Sequence, residues 1–522
     1  MGMVVPQQRI ASAFVVFSGR HGEVSRYARE RGVCRQWVYR EAHWVAATLE
    51  GKEPREEIAR LQARVRELEQ QQAVLQDRLA QAVVLDDEKQ AEFATAGQAR
   101  GVSLPDCREL VEVLIPGRAL SVATLGRRTK AAGAKAGPLL KVLDEWTGEQ
   151  VREAAGDEIY VSDPVLMVVE PDSLCWVSGR LSAEVSGEAW AKEFRQLPHL
   201  EQVTRDGGKG LAKGVALVNA ERQEQSRSAV VDQGDHFHAL RGGSVGLRQA
   251  ELQARKALAE AEAAEKELAE CARQGQAQTG PSARARAAWR RAEQAMDTWG
   301  ERERLWQQTK EALRLFTPEG ELNTRARAET VLAQTLPQLP DSVFAKAKRQ
   351  VQKPEMLNYL DRVQGKIEAL PYPEEIKQAA VRQEGLRRRP ELLQGEASQA
   401  AALRGVMLVC AVVLGNAGEV GQQAAAAVRE IFGRAYRASS LVECINSVLR
   451  MQQARHRKMT QGLLDLKRLH WNCHTFRTGR RRGTTPYRRL GMPWPEGLRW
   501  WDVLKLTPEQ LRNKLSTAKM AA

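Results

Sequence analysis

Three short segments with strand character interrupt a sequence that is otherwise patterned as helix, and they constrain the fold more than any other feature. They lie at residues 157–161, 165–169 and 175–178, and turns containing Asp, Ser and Pro separate them. The middle segment, Val165-Leu-Met-Val-Val169, is apolar throughout, which is typical of a strand buried on both faces. The chain is therefore expected to contain a sheet that starts with three hairpin-linked strands.

Helix and strand alternate after these three segments. An amphipathic helix with Trp190 and Phe194 on one face precedes a fourth strand, which ends at Asp206. A second helix leads to a fifth strand at residues 228–231. Three hairpin-linked strands, helix, strand, helix and strand is the element order of an RNase H-like α/β fold. We therefore predict the first part of such a core at residues 151–246.

The alternation stops at Gly242-Gly243, and the residues that follow are almost entirely helical in pattern. Roughly 150 residues of this kind are enough for a domain. We predict an all-helical insertion at residues 247–402. The core would resume at residues 403–492 with a basic tail, and residues 493–522 would be a C-terminal tail.

A late helix in the second part of the core, at residues 439–453, has two distinct faces. Glu443 and Arg450 share one face with Ser447, at helical spacing. The stripe predicted to face inward consists of Val442, Ile445, Leu449 and Gln452.

The N-terminal residues have the pattern of a helix-turn-helix. Two short helices, at residues 24–31 and from Arg35 onward, flank a three-residue turn that contains glycine. In this geometry Arg35, Gln36 and Tyr39 lie where side chains reach base edges. Short helix pairs also occur as plain packing units. We predict a DNA-binding module at residues 1–52.

A heptad pattern of apolar residues follows the N-terminal module. It predicts a coiled coil at residues 53–86, most simply between two copies of the chain. The alternative is a long helix folded back on its own domain. The apolar positions are Ile58, Leu61, Val65, Leu68, Leu75 and Leu79.

Residues 100–150, which follow a polar stretch, are predicted to form a second helical DNA-binding module. Its later helices would lie on either side of Gly133. Arg127 and Arg128 would contact phosphates. The alternative is a helical spacer.

The charge balance points to a polyanionic partner. The chain has 79 Lys and Arg against 65 Asp and Glu, a formal net charge of +14, although generic basicity gives the same total. Between Met451 and Leu490, eleven Lys or Arg accompany a single acidic residue, with aromatic residues interleaved. Such clustering indicates nucleic acid. The predicted contacts here are Arg450, Arg455, Arg457, Lys458, Arg480, Arg481 and Arg482.

Cysteine usage and hydropathy bear on the compartment. The seven cysteines are scattered without a CxxC pair, which is typical of reduced thiols in a cytosolic protein. The first residues lack the basic region of a signal peptide. The apolar run at residues 406–414 is too short to cross a bilayer and predicts a buried helix. We expect a cytoplasmic protein without a membrane partner.

Three carboxylates lie where metal-dependent phosphodiester cleavage needs them in such a fold. Two Mg²⁺ ions need about three carboxylates, because one ion activates the attacking oxygen and the other stabilises the leaving oxygen. Asp157 lies on the first strand, Asp206 closes the fourth, and Glu443 lies on the late helix. The rivals of Asp157 on or near the same hairpin are Glu158, Asp163, Glu170 and Asp172.

Three acidic motifs surround these carboxylates: Gly156-Asp-Glu-Ile-Tyr160, Thr204-Arg-Asp-Gly-Gly-Lys-Gly210 and Ser440-Leu-Val-Glu-Cys-Ile-Asn-Ser-Val-Leu-Arg450. Together with a tail containing Thr485-Pro-Tyr487, they resemble the motifs of DDE-type transposases of bacterial insertion sequences. The resemblance is to the group with a helical insertion in its RNase H-like core. It covers about residues 150–246 and 400–491.

The resemblance implies an enzyme that hydrolyses DNA at transposon ends and transfers the freed 3′-OH into target DNA. Asp157, Asp206 and Glu443 would be the catalytic ligands of Mg²⁺ (or Mn²⁺). The implied partners are double-stranded DNA, as terminal inverted repeats and target, and further copies of the chain in a homodimer or higher oligomer. The implied location is the bacterial cytoplasm, at the nucleoid.

Asp235-His-Phe-His238 resembles the C/D-x-x-H motif of some related transposases. His238 would then contact the scissile phosphate or support the metal site, with Asp235 orienting its ring. The alternative is a structural Asp–His pair. Trp289, Trp299 and Trp306 would stack on a flipped base, as an insertion-domain tryptophan does in related enzymes, or pack in a core.

Two other functions compete with transposition. A non-catalytic helix-turn-helix regulator would bind DNA without cutting it, and an RNase H-like nuclease or resolvase would cut branched DNA without a preferred end. A zinc site is a weaker option, since His470, Cys473 and His474 have helical ligand spacing but no second Cys/His pair lies nearby.

Overall fold

The computed structural model describes residues 6–50, 53–81, 84–394, 397–454 and 458–521. The predicted DNA contacts Arg455 and Arg457 lie outside these residues. The chain divides into two compact units, Met1–Asp86 and Asp87–Ala522.

The first unit contains helices α1 (Pro6–Phe17), α2 (Glu23–Glu30), α3 (Arg35–Leu49) and α4 (Glu53–Gln81). In the turn between α2 and α3, Gly32 has a φ of +67°, which glycine adopts without strain. Val38 and Ala42 of α3 are fully buried. The predicted succession of helix, turn and helix is confirmed. Its predicted DNA contacts Arg35, Gln36 and Tyr39 are exposed at the start of α3.

The apolar heptad positions of helix α4 are exposed to solvent where the structure describes them. Over the described residues, the alternative of a helix folded back on its own domain is therefore wrong. A coiled coil between two copies stays a prediction. The exposed fractions lie between 47% and 62% for Ile58, Leu61, Val65, Leu68 and Leu75.

The second unit holds a mixed five-stranded sheet. Its strands are β1 (Glu153–Tyr160), β2 (Pro164–Glu170), β3 (Cys175–Leu181), β4 (Gln202–Arg205) and β5 (Val231–Gly234), in the order β3-β2-β1-β4-β5. β1, β2 and β3 are antiparallel neighbours, whereas β4 and β5 run parallel to β1. The predicted α/β core is confirmed, with α8 (Gly187–Phe194) and α9 (Lys209–Glu224) as the connecting helices.

Strand β5 begins three residues later than predicted. The side-chain amide of Asn219 bonds the backbone N–H of Val230 at 2.7 Å and its carbonyl at 2.9 Å. Both backbone groups of Val230 are thereby satisfied before the strand pairs with β4.

Helices cover both faces of the sheet. Leu166 and Val168 pack with α8, α9 and α7 (Val122–Gln150). The alternate residues of β2, Val165 and Met167, pack under α18 (Val442–Ala454). The predicted inward stripe of α18 is confirmed for Val442, Ile445 and Leu449, which are fully buried, whereas the side chain of Gln452 lies outside the described part of the chain.

The segment before the sheet departs from prediction. The supposed polar stretch is helix α5 (Asp87–Ala99), followed by α6 (Leu104–Leu114). Helix α7 continues straight through Gly133, where two helices were expected. A Cβ at Gly133 would lie 2.8 Å from the carbonyl oxygen of Gly462 on α19 (Gln461–Cys473). This glycine permits close packing and does not end the helix.

The helical insertion also begins differently. α10 (His236–Arg273) passes through Gly242 and Gly243, so the boundary predicted at residue 247 falls inside one helix. A Cβ at Gly243 would lie 2.0 Å from the Trp306 ring. The other helices are α11 (Thr279–Ala312), α12 (Arg325–Thr335), α13 (Asp341–Val351), α14 (Asn358–Glu368), α15 (Glu374–Arg388), α16 (Ala397–Asn416) and α17 (Gly418–Gly433).

Helix α16 is not the buried helix that its apolar run predicted. Leu408 and Val409 are 67% and 62% exposed, while Cys410 and Leu414 pack into the insertion core. Among the described residues, Ser398–Asn416 is the one helix segment long and apolar enough to cross a membrane by length and composition.

The C-terminal residues are part of the core, although a tail was expected. After α20 (Pro486–Arg489), helices α21 (Trp500–Val503) and α22 (Pro508–Ala521) bury Val503, Leu511 and Leu515 in the same cluster as the sheet. Distant apolar partners on α7 supply the burial that this short amphipathic segment lacks alone.

Candidate active site

Strand register aligns three aspartates at one edge of the sheet. Gly156 of β1 pairs with Arg205 of β4, which pairs with Gly234 of β5. Asp157, Asp206 and Asp235 each follow directly, on parallel strands spaced about 4.8 Å apart. The N–H of Asp235 donates to the Arg205 carbonyl at 2.8 Å, which extends the pairing to this level.

Asp157 is 9% exposed and faces α18. Its Oδ2 accepts from the side-chain amide of Asn446 at 2.9 Å, and its Oδ1 accepts from the N–H of Glu158. Burial, together with the negative charges of Asp206 and Glu443, raises the pKa of Asp157 to about 6, although the hydrogen bond from Asn446 acts in the opposite direction. Asp206 and Glu443 therefore both lie close enough to Asp157 to act on it electrostatically.

Three of the four rivals of Asp157 have other roles or positions. Both oxygens of Glu170 accept backbone N–H groups in the β2–β3 turn. Asp172 pairs with Arg489, and Asp163 is exposed in the β1–β2 turn.

Glu158 belongs to the site as a fourth carboxylate. Its Oε2 is buried and has no hydrogen-bond partner among the described residues. Burial, together with the negative charges of Asp206 and Asp157, raises the pKa of Glu158 to about 7. An orphaned oxygen beside two other carboxylates is the kind of group that a cation would satisfy.

Glu443 is engaged by a cation of its own helix. Its carboxylate forms an ion pair with Arg450, two turns further along α18. Within the described ranges, no group of three or more His, Cys, Asp or Glu side chains is placed to hold a metal ion. The donor set suits a hard divalent cation, but Glu443 must leave Arg450 to complete it.

His238 is fixed beside the carboxylates. Its Nδ1 bonds Asp235, which caps α10 and also accepts from the Ser439 hydroxyl at 2.7 Å. The bond with Asp235 raises the pKa of His238, and Asp157 and Asp206 act in the same direction. Both the structural and the functional interpretation of the Asp–His pair are therefore compatible with its position.

The predicted DNA contacts differ in their availability. Arg128 is tied to Asp87 at 3.0 Å, and Arg481 donates to the carbonyls of Pro171 and Asp172. Both side chains therefore join separate elements of the second unit, and they are less available to DNA than the exposed residues are. Arg127, Arg450, Lys458, Arg480 and Arg482 are exposed.

The tryptophans and the candidate zinc ligands also separate on burial. Trp306 is fully buried against Phe344, so it cannot stack on a base, whereas Trp289 and Trp299 are half-buried. Burial raises the pKa of the Cys473 thiol, which disfavours the thiolate that zinc requires. His470 and His474 line a cavity.

Sequence reasoning missed Asn446 and Ser439 and treated Glu158 only as a rival. Asn446 lies three residues after Glu443, on the part of α18 that meets β1. That helical spacing was a usable indication, because residues three apart lie on one face of a helix. Ser439 had no comparable indication, since its partner Asp235 is about two hundred residues away in the chain.

No protein-family model matches the chain, and neither a curated protein nor a solved structure matches it.

Proposed function

We propose that the chain is a DDE-type DNA transposase that cuts phosphodiester bonds at transposon ends and joins the freed 3′-OH to target DNA. One observation carries the proposal: register sets Asp157 beside Asp206, and α18 brings Glu443 close enough to raise the pKa of Asp157. The strand order and the late helix are those expected of an RNase H-like core, and the helical insertion separates the second carboxylate from the third.

Asp157, Asp206 and Glu443 would hold Mg²⁺ (or Mn²⁺), with Glu158 as a further oxygen donor. When bound, the ions activate the attacking oxygen and stabilise the leaving oxygen. The chemistry of the donors fits such an ion. The pKa values of the carboxyl groups of Asp157 and Glu158 are raised beside other carboxylates, and one oxygen of Glu158 has no hydrogen-bond partner among the described residues.

The other side chains orient the substrate. Asp235 holds the His238 ring through Nδ1 and favours its protonated form, so that Nε2–H can donate to a phosphate oxygen. Arg450, once released by Glu443, neutralises a phosphate, and the exposed arginines and lysine of the basic segment extend this contact. The helix-turn-helix of the first unit selects the ends, and α4 pairs two copies.

The test is cleavage of DNA that carries the sequences flanking the gene. Wild-type protein should nick the ends only with Mg²⁺ or Mn²⁺, and Asp206→Asn should slow nicking by roughly a hundredfold or more, since even indirect ligands cost up to about that. Asp163→Asn, on the exposed turn of the same hairpin, is the matched control and should nick normally. Undiminished nicking by Asp206→Asn would refute the assignment.

A non-catalytic DNA-binding regulator is the second candidate. The ion pair between Glu443 and Arg450, with no metal-holding group in the described residues, favours it. It predicts specific, salt-sensitive binding of the same DNA with no metal-dependent nicking by the wild type.

A further inference from the structure

A cavity of about 940 Å³ lies in the second unit, and none of the candidate carboxylates is among its described lining residues. It is formed by the end of α5, the exposed side of α18, helix α19 with the residues after it, and Trp500 of α21. This volume is in the range of sites that take small organic ligands or nucleotides.

Aromatic and imidazole rings line the cavity. The rings of His474 and Phe476 lie 5.0 Å apart at 71°, and those of His470 and Trp500 lie 5.1 Å apart at 74°. Trp471 adds an indole, 5.2 Å from His474. None of these pairs is stacked face to face, so ring faces remain for a planar ligand.

The two imidazoles offer neutral hydrogen-bonding groups. Burial lowers the pKa of His470 to about 4 and also lowers the pKa of His474, and the nearby Arg100 acts in the same direction on both. The Nδ1 of His474 donates to the Trp471 carbonyl at 2.9 Å, which leaves its Nε2 as an acceptor. His470 is 9% exposed, and it lines the cavity.

Positive charge borders the rings without compensation. Arg100 and Arg477 are exposed, and neither forms an ion pair with a described carboxylate. Among the described residues, those that line the cavity include Arg100, Lys467 and Arg477 but no Asp or Glu. The ammonium of Lys467 is occupied by the carbonyls of Gln98 and Ala99, so Arg100 and Arg477 are the cations that the described lining residues offer to an anion.

The cavity adjoins the helix that carries the third carboxylate. Ser447 and Met451 of α18 line it, and Ser447 lies one turn after Glu443, a rise of roughly 6 Å along the helix. The cavity therefore begins about one helical turn from Glu443, beside the path of a DNA strand held at that residue.

We propose that this cavity binds an unpaired nucleotide of DNA, with the base among the rings of His470, Trp471 and Trp500 and the phosphate at Arg100 and Arg477. The inference rests on the proposed function, because it takes the ligand from the strand held at the carboxylates. Planar rings, neutral imidazoles and unpaired guanidinium groups together match a base and its phosphate, and stacking is indifferent to base identity.

The test compares single-stranded and duplex DNA without metal. A labelled oligodeoxynucleotide of roughly ten nucleotides, within the span of one single-strand site, and the blunt duplex of the same sequence are titrated with full-length protein. The affected variant is Arg100→Ala/Arg477→Ala. The charge-matched control is Arg248→Ala/Arg290→Ala, two exposed arginines on α10 and α11 that do not line the cavity.

The cavity variant should lose roughly tenfold or more in affinity for the single strand, while its affinity for the duplex changes no more than that of the control. Trp500→Leu should lower the affinity for the single strand in the same way, and it should abolish the fluorescence quenching of a 2-aminopurine placed in that strand. Equal losses for single strand and duplex, or none, would overturn the site. Failure of wild-type protein to nick DNA in Mg²⁺ would refute the transposase proposal alone, because this binding is measured without metal.

Discussion

Replacing Asp157 by asparagine should stabilise the protein at neutral and higher pH while it disables the candidate site. Burial, with Asp206 and Glu443, raises the pKa of Asp157 from 3.8 to about 6. The folded chain therefore keeps this proton where the unfolded chain has lost it. The contribution of Asp157 to the free energy of unfolding therefore declines as pH rises from about 4 to about 6, and it stays at this lower value at higher pH.

The size of the effect follows from the shift. About two pKa units correspond to about 3 kcal/mol at 1.36 kcal/mol per unit. Asparagine removes the charge, but it has one acceptor oxygen in place of two. One of the two hydrogen bonds donated by the Asn446 amide and the Glu158 N–H, worth about 1 kcal/mol, is therefore lost. We expect a net gain of about 2 kcal/mol at about pH 8 and a loss of about 1 kcal/mol below about pH 4.

Urea denaturation followed by tryptophan fluorescence measures both values. Asp163→Asn, on the exposed turn, should show no pH-dependent difference from wild type. Mg²⁺ should stabilise wild type more than Asp157→Asn, because the bound ion favours the ionised folded form. A variant that is destabilised equally at both pH values would refute the idea that Asp157 is a strained member of a carboxylate cluster.

Three other substitutions test the ion pair of Glu443, the packing at Gly243 and the pairing of α4. Arg450→Ala should tighten Mg²⁺ binding, measured by calorimetry, by up to about fivefold. Glu443 then no longer has to break an exposed ion pair, whose free energy corresponds to about that factor. Weaker Mg²⁺ binding by the variant would contradict this. Gly243→Ala should lower the free energy of unfolding by about 1–3 kcal/mol through its clash with a buried indole. Gly300→Ala, with nothing within 4 Å, should raise it by up to about 1 kcal/mol; similar effects of the two would refute the packing role. Leu68→Lys should convert a dimer into monomers in sedimentation analysis if α4 pairs two copies, and a monomeric wild type would exclude such pairing.

The sequence by itself determined the elements whose causes are local. Period and apolarity marked β2 and the buried stripe of α18, and glycine at Gly32 marked the turn between α2 and α3. The end of β4, at Arg205, was placed to within one residue, since the two glycines after Asp206 interrupt a strand pattern. These features depend on a few neighbouring residues, and local propensity decides them.

Only the tertiary structure decided the features that depend on distant partners. Gly133 and Gly243 were interpreted as helix ends, but they permit α19 and Trp306 to approach. Arg128 and Arg481 were expected on DNA, and their carboxylate and carbonyl partners lie on other elements. Contacts between distant residues also set up the candidate site. The strand register aligns Asp157 with Asp206, and Arg450 forms an ion pair with Glu443. Packing across the chain sets which groups are within hydrogen-bonding or van der Waals range, and a linear sequence does not record those distances.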